Sequence, residues 1–348
     1  MNLFTIRNVG STLLACVLVL LSHATALAWE TDGLRLRGRL QGRWQLENDP
    51  VDDEGWTDAF LLRRARVDGR WEPENWLRLV LELELSDRAR PRDLYGRLQP
   101  HEMVSITAGQ FKKPFSRLKM SSPFDLVIPE RGLLNRFAVA DTYYGGYGGR
   151  NIGIMLSGTV PEPLKLTYYL GAFNNPLDDV RYNRDYVARL QARIIKGLIL
   201  AGNISYKRYK NNDSMITGDG LLLGGDLRWT VGDFRAQLEG AWGENLGTEN
   251  GLADYVVTTV GDSLYGVHTI LSYRFKIDKT LALTPAFMAE LFDPSDEETD
   301  DTAVRLAGAL NLDITKYIRV VLAAEGLLRH ARHYDAPTLI YSQLQLDF

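Results

Sequence analysis

The chain has 348 residues, 45% of them hydrophobic and 24% charged, with a formal net charge of −4. That balance is not basic enough for nucleic acid to be the expected partner, and the length allows one large domain or two to three smaller ones. A single cysteine, Cys16, excludes an intramolecular disulfide and a cysteine-based metal cluster.

The N-terminus reads differently from the rest. Residues 1–10 carry Arg7 and no acid, residues 13–21 are almost wholly apolar, and Ala26-Leu27-Ala28 is a small-x-small site. This is the layout of a secretory signal peptide, residues 1–28, cleaved after Ala28, and its apolar run is too short to span a membrane. Residues 29–348 then form one exported domain. Past residue 28 no stretch reaches the roughly 20 apolar residues of a membrane helix, so the domain is either soluble or a β-barrel, which also satisfies its backbone inside lipid.

Periodicity separates the two. From residue 34 to 46, Leu34, Leu36, Gly38, Leu40, Gly42, Trp44 and Leu46 alternate with Arg35, Arg37, Arg39, Gln41, Arg43 and Gln45. A helix would mix these sets around its cylinder, whereas a strand divides them between two faces. Residues 76–86 repeat the pattern with five leucines. Sixteen such segments follow one another: 34–46, 59–71, 76–86, 92–98, 103–111, 150–159, 163–173, 186–195, 198–208, 221–231, 233–243, 264–275, 280–291, 303–314, 317–329 and 338–348. Their connections alternate between short turns such as WEPEN, IKG and VGD and longer loops at 47–58, 87–91, 112–149, 174–185, 209–220, 244–263, 292–302 and 330–337. An even strand count with this alternation predicts an all-β fold, a 16-stranded antiparallel outer-membrane barrel embedded in lipid. Trp71 and Trp76, Trp229 and Phe234, and Tyr273 and Phe275 flank short turns, where aromatic girdles are expected. The chain closes on an aromatic residue, Phe348.

Alternation also assigns charge. Nineteen Arg and Lys but only ten Asp and Glu fall on the polar face of the strands, while residues 47–58 and 292–302 hold acids without a base. Charge on the lipid face costs about 2–4 kcal/mol for Arg or Lys at midplane, so the bases face inward and predict a wet lumen rather than a packed plug. Basic rings favour anions. Lumen acids could neutralise about half of these bases by count, which leaves the run Arg35, Arg37, Arg39 and Arg43 over. Segment 112–149 is too long for an idle connector. Pro114, Pro123 and Pro129 keep it from forming a strand, and its basic excess (Lys112, Lys113, Arg117, Lys119, Arg131 and Arg136) places it in the lumen.

The pieces FLLRRARVDGRW (60–71), RDLYG (92–96), AGQFKKPFS (108–116), PERG (129–132) and RNIGIMLSG (150–158) resemble the phosphate-selective porin O and P family of outer-membrane porins. The resemblance is strongest over residues 57–175. It implies a sixteen-stranded, usually trimeric diffusion channel whose third external loop, here 112–149, folds inward and narrows the pore. It also implies that wall arginines guide small anions towards lysines at the constriction. Arg63 and Arg64 match the family's paired arginines, and Lys112 and Lys113 stand where its third loop begins. This chain continues Arg117-Leu118-Lys119 where many members carry a glutamate. The expected anion pathway is therefore Arg35, Arg37, Arg39, Arg43, Arg63, Arg64 and Arg66 on the wall, with Lys112, Lys113, Arg117, Lys119 and Arg131 on the loop.

No cofactor and no enzymatic chemistry are expected. His330 and His333 lack an acid nearby to complete a metal site, and His268 with Ser272 lies on the polar face rather than at the lipid edge that a barrel phospholipase would need. Two rival readings are a general or sugar-conducting porin, with Tyr143, Tyr144 and Tyr147 as a stacking track, and a soluble periplasmic β-sandwich.

Overall fold

A computed structural model describes residues 30–31, 33–48, 55–139, 146–163, 165–174, 184–210, 217–244, 263–297, 299–329 and 337–348. The signal segment 1–28, the acids of 49–54, Tyr143, Tyr144, His330 and His333 lie outside the described residues.

The period-two segments form sixteen long strands: β1 Leu34–Asn48, β2 Trp56–Glu74, β3 Leu77–Glu84, β4 Arg90–His101, β5 Val104–Lys112, β6 Arg150–Val160, β7 Leu166–Asn174, β8 Arg184–Ile195, β9 Leu198–Lys210, β10 Thr217–Val231, β11 Phe234–Glu244, β12 Ser263–Tyr273, β13 Ala282–Asp293, β14 Ala303–Asp313, β15 Ile318–Arg329 and β16 Thr338–Asp347. Two-residue pieces accompany β1 (Glu30–Thr31) and continue β12 past Arg274 (Phe275–Lys276). Each long strand pairs antiparallel with the next. β16 returns to β1 in the register Thr338↔Asn48 to Asp347↔Arg39, so the sheet closes without a free edge. All sixteen predicted segments are present, with ends that differ by at most four residues.

The two faces separate as predicted. Leu81, Leu94, Ile152, Leu170, Leu190, Phe287 and Leu322 are exposed on the outside, while Arg39, Gln41, Arg43, Arg66, Glu239, Glu290 and Arg305 are buried on the inside. In a bilayer the outer set is the apolar band that meets lipid.

The interior is less uniform than the sequence predicts. The inward faces of β12–β16 carry Ile270, Ala286, Met288, Ala307, Ala309, Val321, Ala323 and Tyr341, and Leu118, Leu126 and Ile128 pack onto them. A second cluster joins Phe115, Leu133, Leu134 and Val139 to Leu222, Leu264 and Phe292. The wholly wet lumen is thus corrected. Small alanines on one wall leave room for apolar side chains of 113–139, which pack there rather than leaving open water-filled space. Carboxylates on the same wall fix the segment's backbone. Glu239 accepts the Leu118 N–H at 3.0 Å, and Glu290 accepts the Leu133 and Leu134 N–H groups at 2.8 and 2.9 Å. Gly132, at φ 87°, makes this possible, because a Cβ there would stand 2.2 Å from the Glu290 carboxylate.

Gly109, at φ 129°, is another glycine that the backbone requires. A Cβ there would meet the Leu94 carbonyl oxygen at 2.3 Å. It sits two residues before Phe111 and sets the path of β5 into Lys112. Gly109→Ala is expected to cost about 1–3 kcal/mol, read as a lower temperature at which the folded, fast-migrating form is lost on a detergent gel.

Candidate permeation site

Two cavities lie along the β2–β7 wall, and the second borders the apolar cluster that holds Phe111 and Met155. The first, about 300 Å³, is lined by β2, β3, β4, the start of β6 and residues 119–131. The second, about 390 Å³, is lined by β4–β7 together with Pro114 and Met120. Lys112, the last residue of β5, lines both.

Two β-bulges shape the first cavity. In β2 the register passes from Gln41↔Arg64 to Gly42↔Leu62, which leaves Arg63 as the extra residue. In β4 it passes from Glu82↔Asp93 to Leu83↔Pro91, which leaves Arg92 extra. Neighbours on a regular strand face opposite ways, so strict alternation would send Arg63 to lipid if Arg64 faces the lumen. The bulge turns both inward. Arg63 donates to Glu130 at 3.1 Å and Arg64 to the Gln41 side-chain oxygen at 2.8 Å.

Nine of the fourteen residues lining this cavity are Arg or Lys and two are acids, so its lining is strongly cationic before pairing is considered. Part of that charge is neutralised locally. Arg66 pairs with Glu84 at 2.7 Å and Glu82 at 3.1 Å, and Arg150 with Asp93 at 2.7 Å and Glu82 at 3.6 Å. Three cations are held by neutral oxygens instead. Arg64 has Gln41, Lys112 donates to the Met120 and Ser121 carbonyls (3.0 Å each), and Arg131 donates to the Leu118 and Ser121 carbonyls (3.0 and 2.9 Å). Among the described residues none of the three forms an ion pair with a carboxylate. Burial pulls the Arg131 guanidinium down to about 10 against the opposing pull of Glu130, so it stays charged at neutral pH but in surroundings that favour a nearby anion. Burial alone would raise the Glu130 carboxyl, but Arg63, Arg43 and Arg64 outweigh it and hold it below the usual carboxylate range.

The predicted site residues divide. Arg63, Arg64, Arg66, Lys112, Lys119 and Arg131 line the first cavity. Lys113 does not. It is fully buried, and its ammonium donates to Asp185 at 2.5 Å and to the Gly146 carbonyl at 2.8 Å. Arg117 reaches Asp226 at 2.8 Å and Gln191 at 3.1 Å. Both residues tie the segment to the wall at β8 and β10. The arginine run of β1, left over when acids are counted by sequence, is ion-paired along its length. Arg35 lies 3.8 Å from Glu72, Arg37 pairs with Asp347, Arg39 pairs with Asp68 and Glu82 at 2.6 Å each, and Arg43 pairs with Glu130 at 2.7 Å. Arg39 and Arg43 also lie over the rings of Phe124 and Tyr341, at 5.1 and 4.0 Å.

Sequence reasoning missed Arg90, Arg92 and Arg150 on the first cavity. Arg150 carried a signal, since it pairs in register with Lys112 where the long segment leaves and rejoins the barrel. Tyr147 is buried, and its hydroxyl donates to the Glu244 carbonyl at 2.9 Å, so it offers no open stacking face. His268 and Ser272 are buried on the inward face, away from lipid. Among the described residues no three metal-ligating side chains converge.

A closed sixteen-strand barrel with a charged cavity along one wall has the build of an outer-membrane diffusion channel. The chain belongs to the phosphate-selective porin O and P family, which matches residues 34–258. No curated relative matches it by sequence. Among solved structures it is similar to Salmonella typhi OmpF in complex with daunomycin (12% identity, TM-score 0.67, 92% of this chain and 99% of that one). It is also similar to an anion-selective porin from Comamonas acidovorans (11%, 0.65, 90% and 99%) and to the trimer form of Vibrio cholerae OmpT (12%, 0.57, 90% and 99%). At these identities the likeness is one of fold. The protein is an outer-membrane porin.

Proposed function

We propose that this porin is a passive channel that prefers small anions, phosphate-like ions among them. One observation carries the reading: Arg64, Lys112 and Arg131 converge on the first cavity, and among the described residues their hydrogen-bond partners are neutral oxygens. An anion passing here exchanges part of its hydration shell for guanidinium and ammonium donors. Arg offers planar, permanently charged forks suited to carboxylate and phosphate. Because the paired bases Arg63, Arg66 and Arg150 are already satisfied, attraction is spread over a few sites and release stays fast.

Segment 112–149 acts as the constriction. Contacts of its described residues reach inward-facing residues of β1, β8, β10, β11, β13, β14 and β15, and its apolar residues also pack on β5–β8, so it narrows the lumen to the space along β2–β7. The signal peptide delivers the chain, its outer band meets outer-membrane lipid, and three copies assemble, as the Vibrio cholerae neighbour does in its trimer form. The Comamonas acidovorans neighbour, itself anion-selective, supports the same preference.

The deciding experiment is single-channel reversal potential across a potassium chloride gradient. The sign expected is that of chloride flow. A reversal potential of zero, or one of potassium sign, overturns the anion reading.

A further inference from the structure

The second cavity differs in chemistry from the first. Its bases Arg97 and Lys112 are matched in number by the acids Asp93 and Glu102, so it holds no surplus charge to attract an inorganic anion. Arg97 is further occupied, with Nε donating to Thr107 at 3.2 Å and its guanidinium 5.9 Å from the Tyr95 ring. What the cavity offers instead is surface for a ring. Tyr95 and Tyr169 line it with half-buried rings, and Phe111, buried and edge to face with Tyr95 at 5.7 Å, packs behind them. Met155, buried in the same apolar cluster, completes the packed floor beneath the two tyrosines. Ser105, 5% exposed, also lines the cavity, and among the described residues its hydroxyl has no hydrogen-bond partner. Such a hydroxyl is completed by whichever polar group enters the cavity, water or a ring substituent. The volume, about 390 Å³, lies in the range of small-molecule pockets.

We infer that this cavity is a subsite for the body of a ring-bearing organic anion whose phosphate or carboxylate head meets Lys112. The inference rests on the anion reading above and names the solute class that the same pathway prefers. Lys112 is the shared residue of the arrangement. It borders both the cationic cavity that draws the head group and the aromatic cavity that receives the ring. The polar wall of hydroxyls at Ser105, Thr107 and Ser157 tolerates a substituted ring edge without demanding one.

The test is block of chloride current in single channels by phenyl phosphate, glycerol 2-phosphate and inorganic phosphate, added separately. Phenyl phosphate is expected to halve the current at about tenfold lower concentration than inorganic phosphate, the gain of one well-packed aromatic contact. Glycerol 2-phosphate, of comparable bulk but without a ring, is expected to resemble inorganic phosphate. Tyr169→Leu is expected to bring the ratio of phenyl phosphate to inorganic phosphate close to one. If that variant yields no folded barrel, Tyr95→Leu takes its place, and the wild-type ratios already decide. Equal block by all three anions, or block by glycerol 2-phosphate as strong as by phenyl phosphate, overturns the subsite. A channel that keeps a chloride-sign reversal potential while showing such equality refutes the subsite alone. A potassium-sign potential refutes the anion reading beneath it.

Discussion

Changing Arg64, Lys112 and Arg131 together to Gln is expected to remove most of the preference for chloride over potassium at 0.1 M salt. A unit charge about 4 Å away contributes roughly 1 kcal/mol even in bulk water and more where protein displaces water. Three such cations together change the relative barriers of anion and cation by a few kcal/mol, so the permeability ratio should fall by about two orders of magnitude. At 1 M salt the screening length drops to about 3 Å, and wild type and variant should converge. The informative comparison is a charge-balanced pair. Arg39 and Glu82 are both buried and bonded to each other at 2.6 Å, so Arg39→Gln with Glu82→Gln removes a cation and an anion from one place, while Arg66 keeps Glu84 and Arg150 keeps Asp93. Its permeability ratio is expected to stay within about twofold of wild type, because the local net charge is unchanged. Heat-modifiable migration establishes that each barrel is folded before recording. Equal loss from the balanced pair and from the triple variant would mean that total arginine content, not unpaired cations, sets selectivity.

What could be read from the sequence followed from what the bilayer imposes. Lipid on one side and water on the other enforce a period of two over every strand, so all sixteen segments and their closure were legible. The first cavity was legible only in part. Arg63 and Arg64 are adjacent, and alternation allows one of them inside; the bulge that admits both is a property of the β1–β2 register. Pairing was illegible because partners come from distant strands. Arg37 meets Asp347, 310 residues away, and Arg39 meets Glu82, 43 residues away, so a count of acids against bases cannot tell which bases remain over. The inner face of β13–β15 misled in another way. Charged positions such as Glu290, Arg305 and Glu325 dominated the reading, while the alanines between them create the space that Leu126 and Ile128 fill. Lys112 and Lys113 are adjacent in sequence and opposite in role, one on the cavity and one locked beneath it, because the strand ends between them.

The same geometry makes the position of the segment itself testable. Glu290 is buried and accepts two backbone N–H groups, Leu133 at 2.8 Å and Leu134 at 2.9 Å, while Arg305 stands 3.5 Å away and also pairs with Glu325. Glu290→Ala removes both acceptors at once. Each buried N–H left without a partner costs about 1–3 kcal/mol, so the docked position loses roughly 4 kcal/mol and its population against a displaced one falls by about a thousandfold. The barrel should still fold, because its closed ladder of sixteen strands does not use this carboxylate. Single channels are then expected to show larger and noisier conductance together with weaker anion preference, since Arg131 is carried by the displaced segment and Lys112 loses the Met120 and Ser121 carbonyls that hold it. Glu290→Gln keeps one acceptor oxygen and should fall between wild type and Ala. Asp185→Asn provides an independent arm. It withdraws the carboxylate that faces two fully buried ammonium groups, Lys113 at 2.5 Å and Lys207 at 3.7 Å, at the other attachment of the segment. Breaking a buried pair from one side costs about 3–5 kcal/mol, so this variant should reproduce the same rise in conductance from the opposite wall. A folded Glu290→Ala barrel with wild-type conductance and selectivity would show that segment 112–149 does not govern passage.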